Sequence, residues 1–324
     1  MRVERVGARA VVVTGVAGFL GSHVADALVA RGTRVVGIDR RSPARDATAA
    51  ANLAGLLGRP GFRLVVADLN RVPLEPLLEG AAHVYHLAAV AGVRASWGRE
   101  FADYVACNVV ATQRVLAACA NVGTPRLVVA SSSSVYGTTG GDPSREDHPA
   151  LPASPYGMTK LAAERLCLEH ARRPGATTAV VALRYFTLYG PRQRTDMMIS
   201  RVLRAALTGE PVHLFGDGTQ RRDFTYVADA VSATLAAGSV PARAEAVNVG
   251  GGAPVRLHDL LDLAADVTGR PIPAVHAAPQ PGDVAVTAAD LAKSRALLGY
   301  RPSTALAEGV ARQWEVLTAD RAAL

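Results

Sequence analysis

Apolar residues follow two alternating patterns through the first half of the chain. Short runs rich in valine and other β-branched residues predict strands at 10–14, 34–39, 63–68, 83–87, 126–131 and 178–185. Longer stretches rich in alanine and leucine predict helices at 21–30, 104–121 and 156–170. Because strands and helices that alternate along a chain build βαβ units, the pattern predicts an α/β fold with a doubly wound parallel sheet.

This alternation stops after about Gly190. Loops punctuated by glycine and proline follow, with helical patterns at 199–207, 227–237, 257–267 and 306–317. We therefore expect a first domain at 1–188 and a smaller C-terminal substrate-binding lobe at 189–324. The apolar run at 247–249 is typical of a strand, so parts of 225–250 are expected to rejoin the sheet of the first domain.

The composition excludes several classes of protein. With 324 residues, of which 49% are hydrophobic, the chain can bury a sizeable core, which excludes a disordered or fibrous protein. No apolar run approaches the roughly 20 residues that span a bilayer. The segment 1–9 also lacks the apolar part of a signal peptide, so we expect a cytoplasmic protein with no membrane partner.

The formal charge of +7 does not by itself indicate a nucleic-acid partner. The basic residues are scattered singly or in pairs such as Arg40-Arg41, without the stripe interleaved with aromatic residues that nucleic-acid sites favour. We expect no nucleic acid. The cysteines Cys107, Cys119 and Cys167 lack metal-ligand spacing, so we expect no metal site and assign them as small buried residues.

A glycine-rich segment follows the first predicted strand. Gly15, Gly18 and Gly21 have the spacing G-x-x-G-x-x-G, and Phe19 and Leu20, between the last two, are expected to contact the cofactor. Glycine permits a tight turn and lets a pyrophosphate approach the backbone, while the helix N-terminus offers free N–H groups. The segment predicts a dinucleotide site, and the first domain is therefore expected to be an NAD-binding Rossmann domain.

Two acidic residues end the next two predicted strands. Asp39 follows Gly21 at about the distance at which a ribose-binding acid belongs. A carboxylate there accepts hydrogen bonds from both adenosine hydroxyls and repels a 2′-phosphate, which favours NAD, although Arg40 and Arg41 leave NADP open. Asp68 ends the third strand and is expected to meet the adenine edge, the alternative being an ordinary strand-end aspartate.

A tyrosine and a lysine lie four residues apart in the predicted helix at 156–170. This spacing puts Tyr156 and Lys160 on one face, where a phenol and an ammonium can act together. The ordinary pKa of tyrosine is about 10, and a nearby cation lowers it by stabilising the phenolate. Lys160 and Lys293 are the only lysines of the chain, and a slim ammonium can also reach ribose hydroxyls. The pair predicts a base, Tyr156, assisted by Lys160.

A cluster of hydroxyl groups ends the fifth predicted strand. The four residues 131–134 are all serine, and open α/β sheets bind ligands at the carboxyl ends of their strands. We expect this cluster to supply hydroxyl groups to the reacting oxygen of a substrate.

These motifs together resemble the extended short-chain dehydrogenases/reductases, in particular the NDP-sugar epimerases and dehydratases. The resemblance covers nearly the whole chain and includes the segments 15–21, 86–89, 131–137, 156–160, 184–190 and 216–229, together with Asn108. It implies that NAD is the cofactor and a sugar nucleotide the substrate. It also implies that Ser132 is the catalytic hydroxyl, Tyr156 the base and Lys160 the ribose-binding residue.

The same resemblance extends the expected cofactor site. It implies contacts of the cofactor with the following residues: Leu69, Leu87, Ala88 and Ala89. Relatives also commonly form homodimers through the helices that follow the fourth and fifth strands, here 104–121 and 156–170, so we expect a homodimer.

Two serines distinguish between the reactions of this group. The 4,6-dehydratases carry an Asp-Glu pair after the catalytic hydroxyl, and uronate decarboxylases carry a Glu there, whereas this chain has Ser133 and Ser134. Without a carboxylate to take the C5 proton, dehydration is not expected. A 4-epimerase needs no such acid.

The loop that follows the sixth predicted strand resembles the uronate 4-epimerase branch. That branch carries an arginine here to meet the sugar carboxylate, and an arginine fork is the natural bidentate partner of a carboxylate. We assign this role to Arg194, with Arg192 as the fallback, and expect Thr187 beside the sugar. Arg94 also looks like that branch and is expected near the diphosphate or the sugar.

The expected nucleotide contacts lie further along the chain. Arg222 matches a family arginine that holds the diphosphate, and Asp283 matches an acid beside the nucleotide. Relatives usually carry a second arginine three residues before that acid, where this chain has Gln280. Arg221 or Arg94 is expected to compensate.

The resemblance therefore implies an NAD-dependent 4-epimerase of a UDP-sugar, closest to those that interconvert UDP-glucuronate and UDP-galacturonate. Three alternatives stay open: a UDP-glucose/galactose 4-epimerase, a UDP-glucuronate decarboxylase, and a non-catalytic NAD-binding protein. The last would keep the glycines but would not need Ser132, Tyr156 and Lys160 together.

Overall fold

The computed structural model describes residues 10–322, and its centre is a seven-stranded sheet whose paired strands all run parallel. The segment 1–9 lies outside the described residues. The strands are β1 (Val11–Thr14), β2 (Val35–Asp39), β3 (Phe62–Val66), β4 (His83–His86), β5 (Arg126–Ser132), β6 (Ala179–Tyr185), β7 (Thr187–Tyr189), β8 (Val212–Phe215), β9 (Arg221–Tyr226), β10 (Ala244–Val249), β11 (Pro254–Arg256) and β12 (Ala274–Ala277).

The order of strands across the large sheet is β10-β6-β5-β4-β1-β2-β3. All six strands predicted for the first half of the chain belong to it, and the run at 247–249 lies in β10, which pairs with β6. The predicted α/β fold with a doubly wound parallel sheet is confirmed. The chain runs outward from β1 to β3 and then returns to β4 beside β1, and ligands of such sheets bind outside the carboxyl ends at this reversal.

Helices cover the sheet and recur through the second half. They are α1 (Phe19–Ala30), α2 (Ala47–Leu53), α3 (Glu75–Leu78), α4 (Phe101–Tyr104), α5 (Ala111–Val122), α6 (Pro155–Arg172), α7 (Met198–Thr208), α8 (Val227–Ala237), α9 (Leu257–Thr268), α10 (Ala292–Leu298) and α11 (Leu306–Ala322). Three of them, α2, α3 and α10, were not predicted, because helices of four to seven residues show too little periodicity to be recognised.

The strands form because their β-branched side chains are buried on both faces of the sheet. Side chains alternate between the two faces along β1: Val11 and Val13 pack into one apolar cluster, and Val12 packs into the other. Val12 and Val13 are both fully buried. Such a continuous apolar run is what a parallel sheet covered by helices on both faces requires.

The helix predicted at 104–121 is longer and less regular than expected. It runs from α4 through a π-helical turn at Val105–Val110 into α5. The continuous run Phe101–Val122 is long and apolar enough to cross a membrane by length and composition, with a mean hydropathy of 1.3 and 39% of that stretch buried. In this structure α5 packs against α3 and α6 beside the sheet, as a layer of the fold.

The second half adds two small sheets, one in the order β11-β9-β7 and one that pairs β12 with β8. Their strands lie among α7, α9 and α11. The helix α8 packs against α1, which brings the chain back to the large sheet before β10.

A buried ion pair joins α6 to β6. Arg184 donates to Glu164 through Nη2–Oε1 (2.6 Å) and Nε–Oε2 (3.0 Å), and their side chains are 3% and 0% exposed. Ser131 donates to the same carboxylate at 2.6 Å. Arg184 also donates to the hydroxyl of Tyr136, which donates to Asn248. Burial by itself lowers the pKa of Arg184, but the hydrogen bonds and charge of Glu164 raise it overall. The network thus links α6 to β5, β6 and β10.

We expect Glu164→Gln to lower the free energy of unfolding by about 3 kcal/mol, because it leaves the buried Arg184 without its counter-charge. Urea denaturation of the variant measures this. The matched control is Glu169→Gln in the same helix. Its pair with Arg172 is exposed, so this variant should lower the free energy of unfolding by less than about 1 kcal/mol. Equal losses in the two variants would contradict the assignment.

Candidate active site

The glycine-rich segment lies at the carboxyl end of β1, against the end of β4. Gly15 has a left-handed φ of +70°, and its N–H donates to Ile38 at 2.8 Å. A Cβ on Gly15 would lie 2.7 Å from the backbone of Ala88, and one on Gly21 would collide with the carbonyl oxygen of Gly15. Both positions therefore require glycine, as the tight turn predicted from the sequence does.

The first turn of α1 begins directly after this segment. Its N-cap is Gly18, which has no side chain to accept hydrogen bonds from the first N–H groups of the helix. Phe19 and Leu20 are half-buried there, and the ring of Phe19 packs edge-on against His23.

The Asp39 carboxylate is held against the glycine segment. Oδ2 accepts from the N–H of Ala17 and Oδ1 from the N–H of Arg41, each at 2.9 Å. The Arg41 side chain lies 3.5 Å from the same carboxylate, whereas Arg40 is exposed. Arg41, one of the two arginines that left NADP open, is thus paired with Asp39, the acid that disfavours NADP.

Asp68 and Leu69 follow β3 at the far side of the cleft. The carboxylate of Asp68 accepts from the N–H of Asn70 at 2.9 Å and lies 3.7 Å from Arg71. Leu69 is buried, and its carbonyl accepts from Arg114. These contacts fix the backbone, and 36% of the Asp68 side chain stays exposed.

The backbone after β4 is tied to β1. The N–H of Leu87 donates to the carbonyl of Thr14, and the N–H of Ala88 donates to the Thr14 hydroxyl at 3.3 Å. Leu87, Ala88 and Ala89 are half-buried and lie beside Gly15 at the point where the order of strands reverses.

A buried histidine lies beneath this segment. His86 contacts the Thr14 hydroxyl through Nδ1 at 2.7 Å and the Thr112 hydroxyl through Nε2 at 2.9 Å. Burial, with a smaller contribution from the charge of Lys160, lowers the pKa of His86 to about 3. The imidazole is therefore neutral and fixes the ends of β1 and β4 relative to α5.

Tyr156 lies in the first turn of α6, which begins where the sequence provides its cap. The Ser154 side chain accepts from the N–H of Gly157 at 3.1 Å, and Pro155 occupies the first helical position. The N–H of Tyr156 donates to Ser96 at 3.1 Å. These contacts hold the first turn in place beside the end of β5.

The pKa of Tyr156 is raised in this structure, which corrects the expectation that Lys160 lowers it. Burial raises the pKa, and a hydrogen bond with Ser132 and the charge of Arg194 only partly offset that. Ser132 is therefore beside the phenol, as predicted. The positive charge that acts on Tyr156 comes from Arg194, which lies in a distant loop. Neither this charge nor the burial of the phenol could be inferred from the local motif.

Lys160 is buried one turn further along the same face of α6. Burial lowers its pKa to about 8, although Cys107, Cys167 and Glu164 oppose that change. A lysine with this pKa is still half-protonated near pH 8 and can donate to an acceptor in the cleft.

The serines at the end of β5 have different surroundings, because successive strand residues face opposite sides of the sheet. Ser131 donates to Glu164 in the core. Ser132 is the residue beside Tyr156, and its hydroxyl accepts from the N–H of Ser134 at 3.1 Å. Ser133 and Ser134 form a 3₁₀ turn and are half-buried. The cluster contains no carboxylate.

The two loop arginines occupy different places. Arg192, at a left-handed φ of +65°, pairs with Asp26 of α1 at 2.6 Å. Arg194 lies by Tyr156, whose pKa its charge lowers, and donates to the carbonyl of Ala91 at 2.8 Å. The preferred arginine, and not the fallback, lies beside the phenol. Thr187 opens β7 and is half-buried.

The predicted nucleotide residues gather at one end of the cleft. Arg94 pairs with Asp283 at 3.2 Å and lies over the ring of Phe215, 4.0 Å from its centroid. Burial lowers the pKa of Arg222, with the charge of Asp283 opposing and that of Arg94 reinforcing the change. Arg201 lies over the same ring. Arg94 and Arg222 therefore both act on Asp283, and two arginines lie over the ring of Phe215, which leaves an excess of positive charge.

Sequence reasoning missed some of the residues that surround the phenol. The ring of Tyr104 packs edge-on against Tyr156, with 6.1 Å between centroids, and its hydroxyl donates to Gly92. Asn108, in the π-helical turn, exchanges two hydrogen bonds with the backbone of Val90. No local motif marks these contacts, apart from the family resemblance at Asn108.

The donor set fits NAD. A glycine backbone that excludes any Cβ, a carboxylate at Asp39 and an ammonium at Lys160 lie along the carboxyl ends of neighbouring strands. Within the described range 10–322, no three His, Cys, Asp or Glu side chains cluster as metal ligands would. The three cysteines are free thiols; Cys119 and Cys167 are buried and Cys107 is half-buried.

Comparison with known proteins identifies a family. Residues 11–250 match the NAD dependent epimerase/dehydratase family. The chain is 39% identical over 306 residues to an uncharacterized UDP-glucose epimerase of Bacillus subtilis (strain 168), covering 94% of this chain and 96% of the relative. It is 36% identical over 306 residues to the UDP-glucuronate 4-epimerase of Thermodesulfobacterium geofontis, covering 93% of each.

A solved structure is similar over almost the entire chain. MoeE5 in complex with UDP-glucuronic acid and NAD is 44% identical, with a TM-score of 0.88, and the match covers 96% of this chain and 99% of MoeE5. MoeE5 has also been solved with UDP-glucose and NAD, at the same similarity.

Proposed function

The chain belongs to the NAD dependent epimerase/dehydratase family, with NAD as its cofactor, and we propose that it is a 4-epimerase that interconverts UDP-glucuronate and UDP-galacturonate. The observation that carries the proposal is the position of Arg194. The charge of its guanidinium reaches the Tyr156 phenol, and its Nη1 is held by the carbonyl of Ala91, so a carboxylate on the carbon next to the reacting one would lie within its reach.

The proposed chemistry divides between three side chains. Tyr156, as phenolate, removes the proton of the sugar 4-hydroxyl, and Ser132 holds that hydroxyl. Lys160 binds the ribose of the cofactor and adds positive charge to the site. NAD, when bound, supplies the acceptor and later the donor of the C4 hydride. The 4-keto sugar turns over in the pocket before Tyr156 returns the proton, so that C4 is inverted.

Arg194 also protects the intermediate. Oxidation of a uronate at C4 gives a β-keto acid, which loses CO₂ when the carboxylate bond aligns with the π-system of the ketone. A guanidinium that grips the carboxylate prevents this alignment. Ser133 and Ser134 provide no acid or base for dehydration or decarboxylation, which supports epimerisation.

The proposed substrate contacts extend along the cleft. Arg94, Arg222 and Asp283 hold the diphosphate and nucleotide, supported by the excess positive charge around Phe215. We propose that 1–188, with parts of 225–250, forms the NAD-binding domain and that 189–324 forms the substrate-binding lobe. The strand β10 within the large sheet supports that division.

A second candidate function is epimerisation of UDP-glucose to UDP-galactose. It requires the same chemistry, and two observations favour it: the name of the Bacillus subtilis relative and the UDP-glucose complex of MoeE5. Arg194 would then have no substrate carboxylate to bind. The two sugars must be compared directly.

We also propose a cytoplasmic homodimer that forms through the helices flanking β5. Three apolar side chains on these elements are unusually exposed: Val110 at 44%, Met158 at 60% and Leu166 at 41%. Exposed apolar side chains gathered on neighbouring helices are typical of an interface between subunits.

We expect sedimentation velocity at micromolar concentration to give the mass of two chains, and Leu166→Glu to shift it toward one chain, because a carboxylate at the interface would be desolvated. The control is Val275→Glu in β12, where the side chain is similarly exposed at 39%. A wild-type protein that sediments as one chain contradicts the proposal.

The proposed activity predicts that the NAD-loaded protein converts UDP-glucuronate to UDP-galacturonate, with both sugars resolved by NMR. UDP-glucose is assayed in parallel. Tyr156→Phe should lower kcat by at least about 100-fold, since it removes the general base. Turnover of UDP-glucose alone would favour the second candidate, release of a UDP-pentose and CO₂ would favour a decarboxylase, and binding of NAD without any turnover would favour a non-catalytic protein.

Replacing Arg194 by Gln should raise KM for UDP-glucuronate about 10- to 100-fold, which corresponds to the loss of a charge-assisted hydrogen bond. Decarboxylated product should appear as well. The control is Arg145→Gln, whose partner is the exposed Asp147 and which should leave KM nearly unchanged. If Arg194→Gln has wild-type kinetics and products, the carboxylate assignment is wrong.

A further inference from the structure

The guanidinium of Arg194 is paired with a carboxylate of its own loop. Its Nε donates to Oδ1 of Asp196 at 2.9 Å, and its Nη2 donates to Oδ2 at 2.6 Å. This is the bidentate geometry in which arginine also binds a free carboxylate. A carboxylate of the chain thus occupies the fork that a uronate would use.

The opposite end of the guanidinium faces the backbone. Nη1 donates to the carbonyl of Ala91 at 2.8 Å, so a second carboxylate at this end would have to displace that acceptor. The Nε–Nη2 fork is therefore the one through which Arg194 can bind a substrate carboxylate bidentately, and Asp196 must leave it first.

Asp196 is free to leave. Its side chain is 61% exposed and that of Arg194 is 43% exposed, so separation leaves no buried unpaired carboxylate. A second cation also lies nearby. Burial raises the pKa of Asp196, but hydrogen bonds from Arg194 and the charges of Arg194 and Arg201 lower it overall. The charge of Arg201, in α7, therefore also acts on this carboxylate.

We propose that Asp196 sets the sugar specificity of this enzyme by holding the place of the substrate carboxylate on Arg194. A uronate must exchange with Asp196, while a neutral hexose binds with the Arg194–Asp196 pair intact. The inference rests on the proposed function and adds to it a residue that acts through Arg194. Asp196 is accordingly a positioning residue and not a catalytic one.

The exchange has opposite consequences for the two sugars. For a uronate, breaking the exposed pair costs a small part of the binding energy. For a neutral hexose, the pair prevents the sugar from covering an arginine that has no counter-ion. The pair therefore reduces the difference in affinity between the uronate and the neutral hexose.

The test is Asp196→Asn, assayed as the NAD-loaded enzyme with UDP-glucuronate and UDP-glucose. We expect KM for UDP-glucuronate to fall about two- to five-fold, the range for loss of one exposed ion pair, with kcat unchanged. KM for UDP-glucose should not fall. Asp196→Glu, which keeps a carboxylate on the loop, should return the ratio of the two KM values toward the wild-type ratio.

The chain offers a closely matched control. Arg145 and Asp147 form the same i,i+2 bidentate pair, with distances of 3.0 and 2.8 Å and side chains 58% and 65% exposed. Asp147→Asn removes an equivalent exposed charge pair outside the catalytic and binding residues. It should leave both KM values unchanged, which separates exchange at Arg194 from a general effect of net charge.

The outcomes distinguish this inference from the function on which it rests. A wild-type enzyme that does not turn over UDP-glucuronate overturns both. If the wild type converts UDP-glucuronate but Asp196→Asn leaves its KM unchanged or raises it, Asp196 does not compete for Arg194, and the inference alone fails. It also fails if KM falls equally for both sugars or if Asp147→Asn has the same effect.

Discussion

The buried ion pair between Glu164 and Arg184 is the constraint on which the geometry of the site depends. Tyr156, Lys160 and Glu164 follow one another at intervals of four residues, so they lie along one face of α6. Glu164 is bound to β6 by two hydrogen bonds and to β5 by Ser131. The rotation of α6 about its axis is therefore fixed, and with it the position of the phenol beside Ser132. An apolar contact at Glu164 would hold the helix down without fixing its register in this way.

The burial of Tyr156 and Lys160 on this face of α6 opposes formation of a phenolate. Burial raises the pKa of Tyr156 and lowers that of Lys160 to about 8, so both shifts favour the neutral form of the pair. A phenolate base then needs positive charge from outside α6. Arg194 supplies part of it, so the arginine proposed to bind the substrate also makes the phenol a stronger acid. In the proposed function, substrate recognition and proton transfer are therefore coupled through a single guanidinium.

The parts of the site that follow from local sequence could be predicted, and those that depend on distant contacts could not. The glycines that end at Gly21, the carboxylate of Asp39 and the Tyr156–Lys160 pair each lie within one strand–turn–helix unit, where spacing alone determines their relative positions. The charge of Arg194 acts on Tyr156 from 38 positions along the chain, and no local motif marks its ion pair with Asp196. The sign of the pKa shift of Tyr156 was wrong because burial is a property of the fold and not of the motif.

Two arginines separated by one residue illustrate why the loop after β7 resisted prediction. The N–H of Gly190 donates to Gln313 of α11, and Arg192 turns through a left-handed φ to reach Asp26 of α1. These anchors hold the beginning of the loop, so Arg194 is delivered to the cleft by contacts with both halves of the chain. The pair with Asp196 is exposed and lies beyond the anchors. Substitutions there can change the preference between acidic and neutral sugars while Tyr156, held by α6, keeps its place. In the proposed function, specificity and chemistry are thus carried by different elements, the loop and α6, and both depend on Arg194.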